Sequence, residues 1–316
     1  MTQREITLPG RARAAPTSGQ AKTPSGNYGS IRFEHWALVP LLVFLLVLVA
    51  YPLFELVRMS FSTATPVGGD FRWSFSGLDN FRTMLADEIF RSAMRNVVVF
   101  VSVTTIVQLV LGTALALLVE QARLLSRIAR NVLIWPAIVT PVAISATFWL
   151  MLNPSFGLIN HVLTTLGLPT QTWLASKTWA LPTLMMVDVW HWTPVVFLLV
   201  LAGLAGIDRQ LYEAAKVDGA SGWRTFVSIT LPLLLPTLFA AAMVRVVLGF
   251  KVFDEVFLLT SGGPGTSTEV LSSRITDVFF GHLDMGYGSS LGLVVVAVLI
   301  IILSVFGAVR GGLQGR

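Results

Sequence analysis

The chain has 316 residues, of which 54% are hydrophobic and only 12% charged, against roughly 25% charged in a soluble domain. That balance excludes a water-soluble globular enzyme and describes a chain that folds in lipid. The absence of cysteine excludes disulfides and thiolate metal sites. The formal charge of +5 is a matter of membrane orientation and needs no nucleic-acid partner.

Residues 1–35, punctuated by Gly10, Pro16, Gly19, Pro24 and Gly26, hold too few large apolar side chains to pack and are expected to form a disordered leader. The apolar run 36–57 exceeds the roughly 7–15 residues of a signal-peptide core. It reads as a retained helix, kinked where Tyr51-Pro52 meets the interface. The loop 59–92 is expected to hold a short surface helix near Gly77-Leu78-Asp79-Asn80-Phe81. Five further apolar runs, 96–119, 131–152, 180–205, 229–250 and 287–309, each reach the roughly 20 residues that span a bilayer. Pro136 and Pro141 in the third require neighbours for the carbonyls they free. The connector 153–179 carries Trp173 and Trp179 for an interfacial belt, and Gly262-Gly263-Pro264-Gly265 marks a turn. The expectation is an all-α polytopic membrane protein of six transmembrane helices. Residues 36–310 form one transmembrane domain and 311–316 a tail.

Lys and Arg placement sets the orientation. With the leader inside, the inner segments hold Arg4, Arg11, Arg13, Lys22, Arg32, Arg123, Arg127, Arg130, Arg209, Lys216, Arg224, Arg310 and Arg316. The first outer loop offsets Arg72, Arg82 and Arg91 with Asp70, Asp79, Asp87 and Glu88. Both termini are therefore placed in the cytoplasm.

On this orientation the polar segment 208–227, between spans four and five, is cytoplasmic. Asp208 is a candidate N-cap for a first short helix, Gly219 permits a bend, and Ser221 caps a second. Paired Ala214 and Ala215 keep the surface low for an approaching groove. An amphipathic linker lying on the membrane would account for the same polarity. The spacing is more specific: Glu213-Ala214-Ala215, three residues, Gly219, nine residues, then Ile229-Thr230-Leu231-Pro232. This pattern resembles the EAA signature of bacterial ABC importer permeases. Phe253-Asp254, Leu259-Thr260-Ser261-Gly262-Gly263-Pro264 and Gly286-Tyr287-Gly288 resemble the MalF-type subunit of carbohydrate importers, as do Gly77–Phe81 and Gly157-Leu158-Ile159-Asn160.

The resemblance covers about 36–310 and implies a type I importer permease fold in the bacterial cytoplasmic membrane. It implies a MalG-type partner permease, two ATPase subunits and an extracytoplasmic solute-binding protein. Segment 208–227 would be the coupling helix, with Glu213, Ala214, Ala215, Lys216, Asp218, Gly219 and Arg224 facing an ATPase. The chain itself is expected to bind no cofactor or metal. It has no G-x-x-x-x-G-K-[ST] loop, so ATP and magnesium would be used by the partner subunits.

Asp188 in span four and Arg245 in span five are costly in a bilayer and seldom face lipid. They either pair with each other structurally or serve the cargo. Asp188 and Trp192 lie one turn apart on one face, a carboxylate for hydroxyls beside an aromatic for a sugar ring. Aligned on the motifs, Asp188, His191, Trp192, Val195, Arg245, Gly249 and Val252 fall where maltose permeases contact sugar. Arg245 and His191 would suit an acid-bearing sugar. An ion- or proton-coupled carrier using Asp188 and Arg245 is the alternative. An intramembrane enzyme is disfavoured, since no span offers a nucleophile–base or paired-carboxylate spacing.

Overall fold

The computed structural model describes residues 30–68, 70–121 and 126–314. Most of the expected leader, Arg123 and the last two residues lie outside the described residues. The chain divides into two compact units, Met1–Pro52 and Leu53–Arg316. The described part of the first is one apolar helix, the start of α1 (Ser30–Ser60). A single helix has no core of its own, and its side chains from Leu38 to Val49 are exposed among the described residues. α1 runs on through Pro52, where a kink at the interface was expected.

The second unit begins with the last turns of α1 and turns into a hairpin that the all-helical expectation did not contain. β1 (Ser62–Val67) pairs antiparallel with β2 (Asp70–Phe75). Thr63, Thr65 and Val67, then Phe71 and Trp73, supply the β-branched and aromatic residues that favour a pleated strand. The expected surface helix follows as α2 (Asp79–Ala86). Its Asn80 amide donates to the carbonyls of Ser60 (2.9 Å) and Ser62 (3.0 Å), fixing where α1 gives way to the hairpin.

Three long helices form the centre of this unit: α3 (Glu88–Gln121), α7 (Ala180–Ala205) and α10 (Leu231–Phe250). α3 and α7 share the most extensive helix contact. Glycine permits it: a Cβ at Gly112 would lie 2.8 Å from Val196 Cγ1 and 3.0 Å from the Phe197 nitrogen. Gly203 does the same for α7 against α10, where a Cβ would meet Thr237 Oγ1 at 2.8 Å. In lipid such close approach supplies the dispersion contact that drives helix association. α13 (Met285–Gln314) completes the set of long helices.

The expected third span is broken. α4 (Ser126–Ile138) and α5 (Pro141–Met151) meet at 95° across Val139 and Thr140. Pro141 lacks an N–H and forces Thr140 into an extended conformation, with φ −66° and ψ 145°. The described residues thus contain five helices long and apolar enough to cross a membrane, and six spans if the bent pair is one.

Short helices complete the unit: α6 (Leu158–Thr165), α8 (Arg209–Val217), α9 (Gly222–Thr225), α11 (Asp254–Leu259) and α12 (Leu271–Thr276). The motif residues outside 208–227 anchor backbone. Asn160 binds the Gln171 carbonyl (3.0 Å) and nitrogen (3.2 Å) and accepts from Trp173 Nε1 (3.0 Å). Thr268 donates to the Gly263 carbonyl at 2.7 Å, while Asn96 on α3 holds the carbonyls of Thr266 and Glu269, both at 2.9 Å.

The core comes in two apolar clusters. One gathers Val97, Phe100, Leu184, Val187, Phe250 and Leu271; the other gathers Ala116, Val119, Val196, Phe197, Leu234 and Ala241. Along α3 and α7 a short stretch of buried polar residues separates them, and along α10 Arg245 does so.

Candidate functional site

That polar layer is a connected cluster of four residues expected from sequence and two that were not. Arg245 and Asp188 form an ion pair at 2.8 Å, exposed by only 1% and 2%. Gln108 on α3 closes the pair into a ring. Its amide nitrogen donates to Asp188 Oδ2 (2.8 Å) and to the Asp188 carbonyl (3.0 Å), and its oxygen accepts from Arg245 Nε at 2.5 Å. Gln108 therefore satisfies one atom on each charged partner, as a buried ion pair requires to offset its desolvation. The Trp192 ring lies 5.4 Å from the Arg245 guanidinium carbon and 4.5 Å from the His191 ring.

His191, buried as deeply, begins a second pair. Its Nδ1 lies 3.3 Å from Glu255 Oε1 on α11, and its Nε2 lies 3.3 Å from the Val139 carbonyl at the α4–α5 break. The carbonyl exposed by the break thus gains a partner from α7, the requirement that the prolines of this span raised. The six residues run in one chain of contacts: Glu255, His191, Trp192, Arg245, Asp188, Gln108.

The remaining expected positions lie apart from this chain. Val195 is half-buried one turn further along α7. Gly249 packs on α3, where a Cβ would meet Val101 at 2.9 Å. Val252 belongs to the apolar core, and its carbonyl accepts from Ser272 Oγ. Gln108 and Glu255 were missed for different reasons. Gln108 is uncharged and isolated in an apolar run, although any amide in mid-span needs a buried partner. Glu255 lies outside the long helices, where a carboxylate reads as solvated; it is 5% exposed.

At the other end of α7, segment 208–227 folds as two capped helices. Asp208 accepts from the Gln210 nitrogen (2.9 Å), and Ser221 from the Arg224 nitrogen (3.3 Å). α8 ends in a Schellman motif: the Gly219 nitrogen donates to the Lys216 carbonyl (3.1 Å) and the Ala220 nitrogen to the Ala215 carbonyl (2.9 Å). Gly219 takes φ +71° with nothing within 4 Å of where a Cβ would sit. The glycine is therefore required by conformation, not by space. Ala214 is exposed but Ala215 is buried, so one alanine shapes the surface and the other packs beneath it.

Glu213 is open to solvent and pairs with Arg209 at 3.4 Å. Lys216, Asp218 and Arg224 are exposed too. Tyr212 reaches back to Thr230 (3.2 Å), inside the Ile-Thr-Leu-Pro stretch that starts α10. A cavity of about 1270 Å³ lies between this segment and the ends of the long helices, bordered by Leu117, Glu120, Arg209, Lys216 and Trp223.

The family model described as the binding-protein-dependent transport system inner membrane component matches residues 108–314. The sulfoquinovosyl glycerol transport system permease protein SmoG of Agrobacterium fabrum is 34% identical over 85% of this chain and 87% of its own. The trehalose/maltose transport system permease protein MalF of Thermococcus litoralis is 35% identical over 84% and 89%. The crystal structure of a bacterial alginate ABC transporter, in complex with an alginate pentasaccharide-bound periplasmic protein, contains a chain of the same fold. The TM-score is 0.76 at 22% identity, covering 88% of this chain and 93% of that one. These relatives lend nothing to an ion-coupled carrier. Five long apolar helices with one bent pair, an exposed EAA segment and a family match reaching from Gln108 to α13 agree that the chain belongs to the family of binding-protein-dependent transport system inner membrane components.

Proposed function

We propose that this chain is the MalF-type permease subunit of an ATP-driven importer of carbohydrates or their derivatives. It works with a MalG-type permease, two ATPases and a solute-binding protein in the bacterial cytoplasmic membrane, with both termini in the cytoplasm. The observation that carries the reading is segment 208–227. Glu213 is exposed on a helix fixed at both ends by caps, between two spans, in a chain named by its relatives as a permease.

A surface pair such as Arg209–Glu213 contributes little, typically ~0–1 kcal/mol. Glu213 can therefore exchange Arg209 for a cation on an ATPase. The Schellman cap and the Tyr212–Thr230 contact keep α8 from yielding when pushed. Movement of a docked ATPase is then passed to α10 and α7 as a rigid-body displacement. Asp188, His191, Trp192 and Arg245 are the cargo residues of this reading, with Val195 on α7, Gly249 on α10 and Val252 just beyond its end.

The test is Glu213→Lys in the reconstituted five-subunit complex. Sugar-stimulated ATP hydrolysis and uptake should fall at least about tenfold, while all subunits still co-purify. Undiminished uptake by the variant, or ion-driven uptake by this chain alone in liposomes, would overturn the reading.

A further inference from the structure

Both basic groups of the polar layer already have carboxylate partners. Arg245 is held by Asp188 at 2.8 Å and His191 by Glu255 at 3.3 Å. The formal charges of Arg245, Asp188 and Glu255 sum to −1 with His191 neutral, and to zero with it protonated. Neither state leaves positive charge for an arriving anion. We propose that Gln108 and Glu255 are specificity-determining residues of the cargo site, and that the balanced layer they complete selects an uncharged polyhydroxy compound over an acid sugar. This inference rests on the carbohydrate-importer reading above and replaces the acid-sugar preference that Arg245 and His191 suggest when read alone.

The selection does not require cargo to touch every member. Trp192 is the half-buried edge of the cluster, its ring set against the Arg245 guanidinium and the His191 ring. An anion brought to that edge meets Arg245 and His191 first, but each already has a carboxylate partner, so the attraction is that of a paired group and weaker than that of a free cation. To gain Arg245 as a partner it would have to displace Asp188. Asp188 would then be an uncompensated buried carboxylate, the costly half of a broken pair. Gln108 works against that displacement, since it grips both partners and would lose its bonds to each. A neutral polyol leaves both pairs intact, because a hydroxyl both donates and accepts and so fits beside a guanidinium–carboxylate pair without altering its charge. The relatives transport cargo of both kinds by name, sulfoquinovosyl glycerol on one side and trehalose or maltose on the other. The charge count places this chain's preference at the neutral end of that range.

The experiment compares matched probes, glucose with glucuronate and maltose with maltobionate. Equilibrium binding is measured on the purified permease–ATPase complex without its solute-binding protein. The wild type should bind the neutral member of a pair at least about tenfold more tightly. Asp188→Asn and Glu255→Gln each remove one negative charge and should each narrow that preference by a similar factor. Equal or tighter binding of the acid by the wild type overturns the inference, and so does an unchanged preference in both variants. Stimulation of ATP hydrolysis by a wider carbohydrate panel is measured in the full complex alongside. Stimulation without charge preference sinks this inference alone. No stimulation by any carbohydrate sinks the functional reading on which it rests.

Discussion

Asp87 stands just before α3 and ties three elements together: its carboxylate accepts from the Ile89 nitrogen (2.8 Å), Tyr287 Oη (2.7 Å) and Arg274 (3.1 Å). Burial pushes its carboxyl up, but the hydrogen bonds from Tyr287, Ile89 and Arg274, with the Arg274 charge, outweigh that and hold it below the usual carboxylate range. A carboxylate with a depressed folded pKa contributes stability above its unfolded value, near about 4, and loses it as pH falls through the folded value. Thermal unfolding of the complex should therefore be insensitive to this group from neutral pH down to about 4 and weaken below. Asp87→Asn should remove that acid-side slope and lower stability at neutral pH. An unchanged slope in the variant would show that Asp87 does not supply it. Tyr287 was legible in sequence only as the centre of a Gly-Tyr-Gly motif. Its role follows from a contact 200 positions away, which no local pattern encodes.

Among elements, the EAA segment was the most legible from sequence. Both caps were expected from Asp208 and Ser221 because a cap is a short-range arrangement of side chain and backbone. The same logic yields a sharp prediction at Gly219. Its left-handed conformation costs an ordinary L residue about 1–2 kcal/mol, and its open surroundings add no clash. Sugar-stimulated ATP hydrolysis and thermal stability should follow the order Gly, Asn, Ala, Val at this position, Asn entering the left-handed region more readily than the others. Equal performance by Gly219→Val would mean that the Schellman cap does not matter for coupling. The third span was the least legible element. Its two prolines were noted and expected to be tolerated within a helix, yet the chain bends by 95° there. Hydropathy measures how well a segment dissolves in lipid and is indifferent to whether it stays straight. The hairpin was missed because two six-residue strands of mixed polarity, standing alone, give only a weak local signal.

For the whole molecule, the orientation argued from Lys and Arg predicts which end faces which side. α3 is 34 residues long, about 50 Å at 1.5 Å per residue, with the hairpin near its start and the EAA segment near its end. The chain has no cysteine, so single introduced cysteines report cleanly. Phe75→Cys on β2 and Val217→Cys on α8 replace residues that are 83% and 88% exposed. A membrane-impermeant maleimide should label Phe75→Cys in intact cells and Val217→Cys only after permeabilisation. The reverse pattern would invert the topology and with it the assignment of α8 as a cytoplasmic coupling helix.

By itself the sequence determined what depends on local composition and spacing. That comprises the membrane class, the number of apolar segments, the capped EAA helices and, through motif spacing, the family. The tertiary structure alone decided what depends on which side chains meet. It joined Gln108 to Asp188 and Arg245 across three helices, brought Glu255 to His191, and gave each of the two basic groups a carboxylate partner. The physical reason is that a charge buried in a protein is defined by its partner, and the partners here lie 57, 64 and 80 residues away along the chain.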